Sequence, residues 1–183
     1  MKKYLIIYKP FLLFLAKFFL TYFLLTLVYQ AYLQRYGAND IDAVTVLVAK
    51  NTTNVLDVFN VDFKIEENHS EQYIKLLYNQ KYVARMVEGC NAISIVILFI
   101  AFIVSFSGKI KTTLLFILGG SVLIYTLNVL RVAILCVLLY SFPEQETILH
   151  RVFFPLFIYG FVFVLWVIWV NKYSLYAKNT IPT

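Results

Sequence analysis

The stretch Val87-Glu88-Gly89-Cys90-Asn91-Ala92-Ile93-Ser94-Ile95-Val96-Ile97-Leu98-Phe99 decides how the chain is read. A polar run stops at Gly89, a cysteine follows at once, and a strongly apolar segment begins behind it. A thiol at that junction sits at the mouth of a membrane helix, facing water and backed by lipid or protein. At a helix N-terminus the dipole favours thiolate, which makes Cys90 a candidate nucleophile. The bland alternative is a small apolar residue, which is how most unpaired cysteines behave.

Working outward, the 183 residues allow one compact domain. Hydrophobic residues make up 61% and charged residues 14%, whereas about a quarter of a soluble chain is charged. Several apolar runs approach the roughly 20 residues needed to cross a bilayer, so the composition indicates an integral membrane protein. The net charge of +6 forms no clustered basic stripe. The Lys and Arg residues edge the apolar runs, as orientation signals do, and nucleic acid is not an expected partner. Cys90 and Cys136 show no metal-type spacing and no disulfide framework. No metal or organic cofactor is suggested.

The expected fold is an all-α integral membrane bundle of about four transmembrane helices with a small extracytoplasmic helix-plus-β-hairpin insertion. Span one covers 11–34, with Lys17 snorkelling to the near interface. No small-residue cleavage site follows it, so it reads as a retained span. Residues 37–88 form the one extended polar region. There Asn39 and Asp40 can cap a helix running to about Phe59, with Ile41, Val44, Val48, Val55 and Phe59 on one face lying against the membrane. Gln72 to Tyr78, Asn79-Gln80 and Lys81 to Val87 then read as a hairpin that delivers Cys90 to the membrane edge. In its second arm Tyr82, Ala84 and Met86 alternate with Val83, Arg85 and Val87. Span two covers 90–107 and span three 112–142, the latter long enough to tilt or project. Pro143 to Thr147 reads as a brief acidic turn, and span four covers 152–171.

Charge sets the expected topology. Lys2, Lys3, Lys9, Lys109, Lys111, Lys172 and Lys178 lie in segments with no acid, whereas residues 37–88 carry five basic and eight acidic residues. The positive-inside rule puts both termini in the cytoplasm of a multi-pass plasma (inner) membrane protein and the polar region outside.

Three chemically competent residues then share the outer layer: Cys90, Arg131 and His150. From Thr113 to Arg131 is 18 steps, roughly 27 Å of helix, which brings the guanidinium close to the outer boundary. An arginine in an apolar span costs roughly 2.5–3.5 kcal/mol. It must therefore find a partner inside the bundle or snorkel to the interface. Asn128, one turn earlier, can orient it. Beside an outward cysteine, His150 is a candidate general base and acid; alone it would be a helix-entry residue. Cys136 reads as core, His69 as solvated, Arg151 as facing the lipid interface and Gly119-Gly120 as a helix-packing step. The sequons Asn51-Thr52-Thr53 and Asn68-His69-Ser70 are weak patterns.

The order Glu88-Gly89-Cys90, Asn128-x-x-Arg131 and His150, with a polar hairpin ahead of the cysteine, resembles the exosortase/archaeosortase family of membrane cysteine transpeptidases. The likeness is to the short XrtF-type exosortases and covers roughly residues 40–160. It implies that Cys90, Arg131 and His150 are catalytic, with Asn128, Glu88 and Asn91 as supporting residues. Asn91 stands where many relatives have a small residue. The resemblance also implies substrates: secreted proteins ending in a sorting signal of short motif, membrane helix and basic cluster. The expected reaction is acyl transfer through a Cys90 thioester, with hydrolysis or transfer to an acceptor left open. Membrane lipid is the expected surround, and a small membrane partner is compatible with the sequence. The rival readings are a non-enzymatic assembly or transport subunit, in which Arg131 pairs with a partner's carboxylate, and hydrolysis of a lipid or glycan by the same residues.

Overall fold

The computed structural model describes residues 8–37, 40–69, 71–106 and 108–174. Lys2, Lys3, Lys178, Asn39 and Ser70 of the second sequon lie outside them. The first helix, α1 (Lys9–Leu33), starts with proline in its first turn and runs as one apolar rod in which no residue is buried. The second, α2 (Ala43–Val58), is capped by Asp42, whose carboxylate accepts from the amides of Val44 at 3.1 Å and Thr45 at 3.0 Å. Helix start signals therefore pointed two to three residues too early. The side chain that reaches the free amides is the one directly before the first helical turn.

The buried face of α2 is Thr45, Val48, Ala49, Thr52 and Leu56, packed on protein. Phe59, expected on that face, is 72% exposed. The two threonines are tolerated because their hydroxyls are used: Thr52 donates to the Val48 carbonyl at 2.8 Å, and Thr45 donates to Asp42.

Strands β1 (Phe63–Asn68), β2 (Tyr73–Tyr78) and β3 (Lys81–Met86) form an antiparallel meander in the order β1-β2-β3. The hairpin is where the sequence places it, with one strand more. Asn79 and Gln80 both have positive φ, 48° and 63°, the two-residue turn whose twist suits paired strands. The expected strict alternation in β3 fails at one point. Leu76 faces Ala84 while Leu77 faces Tyr82, so Val83 is an extra, bulged residue. Tyr82 is consequently exposed while Met86 stays buried.

Three helices are long and apolar enough to cross a membrane, which marks a membrane protein: α1, α4 (Ile110–Ser141) and α5 (Pro143–Tyr173). Between α1 and α4 lies the shorter apolar helix α3 (Ile93–Ser105), whose 13 residues rise about 20 Å. The span expected at 152–171 belongs to a longer helical run. Pro143 to Gln145 already turn as 3₁₀ and Leu149–Phe153 form a π-turn, so the expected loop is the start of α5. Proline is accepted there because a first turn needs no amide donor.

Two ends of the bundle differ in chemistry. At one, the Phe14 ring of α1 packs tilted against Phe106 with ring centroids 4.7 Å apart, Trp169 donates to the Phe106 carbonyl at 3.3 Å, and Gly108 bridges to Ser174. Lys9, Lys109, Lys111 and Lys172 gather at this end. The other end carries α2, the sheet, Glu144 and Glu146, and with them every acidic residue of the chain.

The far half of α4 is packed by α2 and the sheet. Val129, Val132, Ala133 and Cys136 form one core with Val48, Leu56, Phe63, Ile74, Leu76 and Met86. Asn51 donates to the Tyr125 hydroxyl at 2.7 Å, and the Tyr78 and Tyr140 rings lie 4.6 Å apart. The near half packs on α3 and α5 through Phe99, Ile103, Ile124, Val162 and Trp169. Of the glycine pair, only Gly120 is a packing step, lying against the Cζ end of the Phe99 ring; Gly119 faces open space.

Candidate functional site

Cys90 ends a 3₁₀ turn, Glu88–Cys90, in which its amide donates to the Val87 carbonyl at 2.8 Å. The helix behind it begins three residues later, at Ile93, after Ala92 takes a left-handed conformation with φ 64°. A non-glycine residue held there is uncommon and marks a backbone fixed by its surroundings. The thiol therefore does not cap α3. The N-cap position is Ala92, and Asn91 just before it supplies the side-chain acceptor, its Oδ1 accepting from the Ile93 amide at 3.0 Å.

The turn projects the half-buried Cys90 into a cavity of about 470 Å³ bounded by β3, the far half of α4 and the start of α5. Arg131 and His150 line the same cavity. Three residues chosen from separate segments of sequence thus line one cavity. Arg85, Glu146 and Arg151 also line it, so Arg151 takes a place on the cavity wall, not the lipid-facing one expected of it.

Asn128 holds the arrangement together. It is completely buried; its Nδ2 donates to the Cys90 carbonyl at 2.8 Å, and its Oδ1 accepts from Arg131 Nη1 at 3.4 Å. One carboxamide on α4 therefore fixes both the cysteine's backbone and the guanidinium one turn on. Arg131 makes no ion pair among the described residues, and its buried Nε has no hydrogen-bond partner. A guanidinium carries five donors, and a buried donor without a partner costs about 1–3 kcal/mol. The site thus presents unspent positive hydrogen-bonding capacity next to a thiol. Arg131 is also in electrostatic contact with Cys90, with Tyr159 of α5 and with the imidazole of His150. His150 is solvent-exposed and sits within the π-turn of α5. Such turns rotate side chains out of regular register and recur at functional sites.

Two supporting residues take other places. Glu88 lines a separate cavity of about 300 Å³ beside Asp40 and Asp42, because residues two apart in a 3₁₀ turn point in directions about 120° apart. Asn91 is buried and does not line the main cavity; its Nδ2 donates to the Tyr29 hydroxyl of α1 at 2.8 Å and to Thr45 Oγ1 of α2 at 3.4 Å. Cys136 is fully buried in the core, and both cysteines are free. His69 lies after β1, 3.6 Å from Glu67, and is not a cavity residue. No group of three metal-ligating side chains gathers among the described residues.

Sequence reasoning missed Tyr29, Thr45, Arg85, Glu146 and Tyr159. A tyrosine near the end of an apolar helix reads as an interface anchor, and charges in a polar hairpin read as solvated. No signal in a single sequence separates those uses. Comparison with family models, with curated proteins and with solved structures finds no match.

Proposed function

We propose that this chain is a membrane-embedded cysteine peptidase or transpeptidase of the exosortase kind, cleaving C-terminal sorting signals of secreted proteins. The observation that carries the reading is the cavity shared by Cys90, Arg131 and His150, with Arg131 Nε buried and unpartnered. A thiol, an unspent cation and an imidazole are the parts that acyl transfer requires. In the proposed orientation the lysine-rich end is cytoplasmic, both termini are inside, and α3 serves as a fourth, short span. The cavity then opens on the extracytoplasmic side of the plasma membrane, where secreted substrates are found.

Cys90 thiolate attacks a peptide carbonyl, forming the S–C bond and placing negative charge on the carbonyl oxygen. Arg131, oriented by Asn128, donates to that oxygen, an interaction usually worth several kcal/mol when preorganised. Collapse breaks the C–N bond, and His150 gives its proton to the leaving amine. The imidazole then takes a proton from the acceptor, an amine or water. The acceptor displaces the thiolate from the thioester and restores the free enzyme.

The test is co-expression with a secreted protein that ends in a short motif, an apolar helix and a basic cluster. Cys90→Ala should abolish its shortening while the variant still accumulates in the membrane. Shortening at the wild-type rate with alanine at position 90 would refute the proposal.

A further inference from the structure

The cysteine is held from two flanks, and only one of them belongs to the cavity. On the α4 side Asn128 takes the Cys90 carbonyl. On the opposite side the next residue, Asn91, is anchored by three elements at once: the Tyr29 hydroxyl of α1, the Thr45 hydroxyl of α2 and the first amide of α3. The Asn91 side chain is 3% exposed, so water cannot replace a lost partner without cost. The residue after it carries the positive φ at Ala92, so the chain direction through Cys90 depends on Asn91 staying where it is. Tyr29 makes the shorter of the two bonds to Nδ2, 2.8 Å against 3.4 Å.

We infer that Tyr29 is a positioning residue: its hydroxyl, through Asn91, sets the placement of the Cys90 thiol against Arg131 and His150. The inference rests on the peptidase reading only for its catalytic consequence; the placement of the thiol stands apart from it. Helix α1 contributes nothing to the cavity wall, and this contact gives it a part in the chemistry.

The experiment uses the full chain in detergent or nanodiscs and compares wild type with Tyr29→Phe, which keeps the ring and removes one oxygen. Two reagents are followed at Cys90 by mass spectrometry: iodoacetamide, which reports release of a half-buried thiol, and a peptidyl chloromethyl ketone, which requires correct alignment. Loss of one buried hydrogen bond should speed alkylation by about three- to tenfold. It should slow peptide capture by a similar factor, with the half-saturating peptide concentration unchanged. Cys136 should remain unreactive, since loosening of the whole bundle would expose it. In an Asn91→Ala background the same substitution should have no further effect, because the intermediary is gone. An unchanged iodoacetamide rate in Tyr29→Phe overturns the inference, as does parallel exposure of Cys136. Faster alkylation in a protein whose wild type never captures the peptide leaves Tyr29 as the positioner and overturns the peptidase reading instead.

Discussion

Replacing Gly120 by alanine should be among the most damaging small changes in the protein, and its neighbour supplies the control. A Cβ at position 120 would lie 2.3 Å from Cζ and 2.6 Å from Cε1 of Phe99. Carbon atoms pack comfortably at about 3.5–4.0 Å, so more than an ångström must be found. Phe99 has no exposed surface, and its ring faces Phe116 at 6.1 Å between centroids. Either the ring leaves its rotamer or α3 and α4 move apart, and overpacking of this kind costs about 1–3 kcal/mol. At Gly119 the same methyl meets nothing within 4 Å, and there alanine gains up to about 1 kcal/mol of helix propensity. Both glycines lie inside α4, so the propensity gain is common to the two variants, which should differ by the packing cost of about 1–3 kcal/mol, or roughly 2–12 °C in Tm for a chain of this size. Thermal unfolding in one detergent, read by tryptophan fluorescence or circular dichroism, measures the difference. Because the contact sets the spacing between the helix behind Cys90 and the one carrying Arg131, Gly120→Ala should also slow any chemistry at the cavity. Equal melting temperatures, or Gly120→Ala the more stable, would refute the packing argument.

Other outcomes follow from single features. Asn128→Ala strips the partner from the Cys90 carbonyl and from Arg131 Nη1 and should cost about 2–4 kcal/mol in denaturant or thermal titration; a loss under about half a kcal/mol would show that neither bond matters. Maleimide should modify Cys90 in the folded protein and Cys136 only after denaturation, because Cys136 has no exposed surface; mass spectrometry of the labelled peptides decides it. Gln80→Gly should raise Tm, by up to about 1 kcal/mol of stability, since Gln80 holds φ 63° in a turn that favours glycine. A lower Tm would mean that the side chain of Gln80 contributes more than its backbone strain takes away.

Much of the architecture was legible because the bilayer imposes a length and the hairpin a turn. Apolar runs of 25 and 32 residues that begin beside lysine leave few alternatives for α1 or α4, and Asn79-Gln80 between two alternating runs marks the reversal. The failures have local causes. The bulge at Val83 depends on how β2 pairs with β3, which no pattern inside β3 records. The early start of α5 was hidden by Pro143 and the acids after it, which suit a loop and a first helical turn equally. Asp42 was passed over because two other good caps precede it. At the site, Cys90, Arg131 and His150 were visible because a thiol at a junction, an arginine in an apolar run and a histidine at a helix entrance are each out of place locally. Asn128 was legible one turn from that arginine. Tyr29 was not, since its meaning comes from Asn91, 62 residues away.

The shortness of α3 bears on the membrane placement proposed for the thiol. A hydrocarbon layer is about 30 Å thick, and the 13 residues of α3 rise about 20 Å, so α3 is about 10 Å shorter than that layer. If α3 is the short span proposed above, lipid beside it would have to thin, and such thinning costs fractions of a kcal/mol per ångström. On the peptidase reading proposed above, a bond within a substrate's hydrophobic anchor would then be reached from the resulting dimple without first pulling the anchor free.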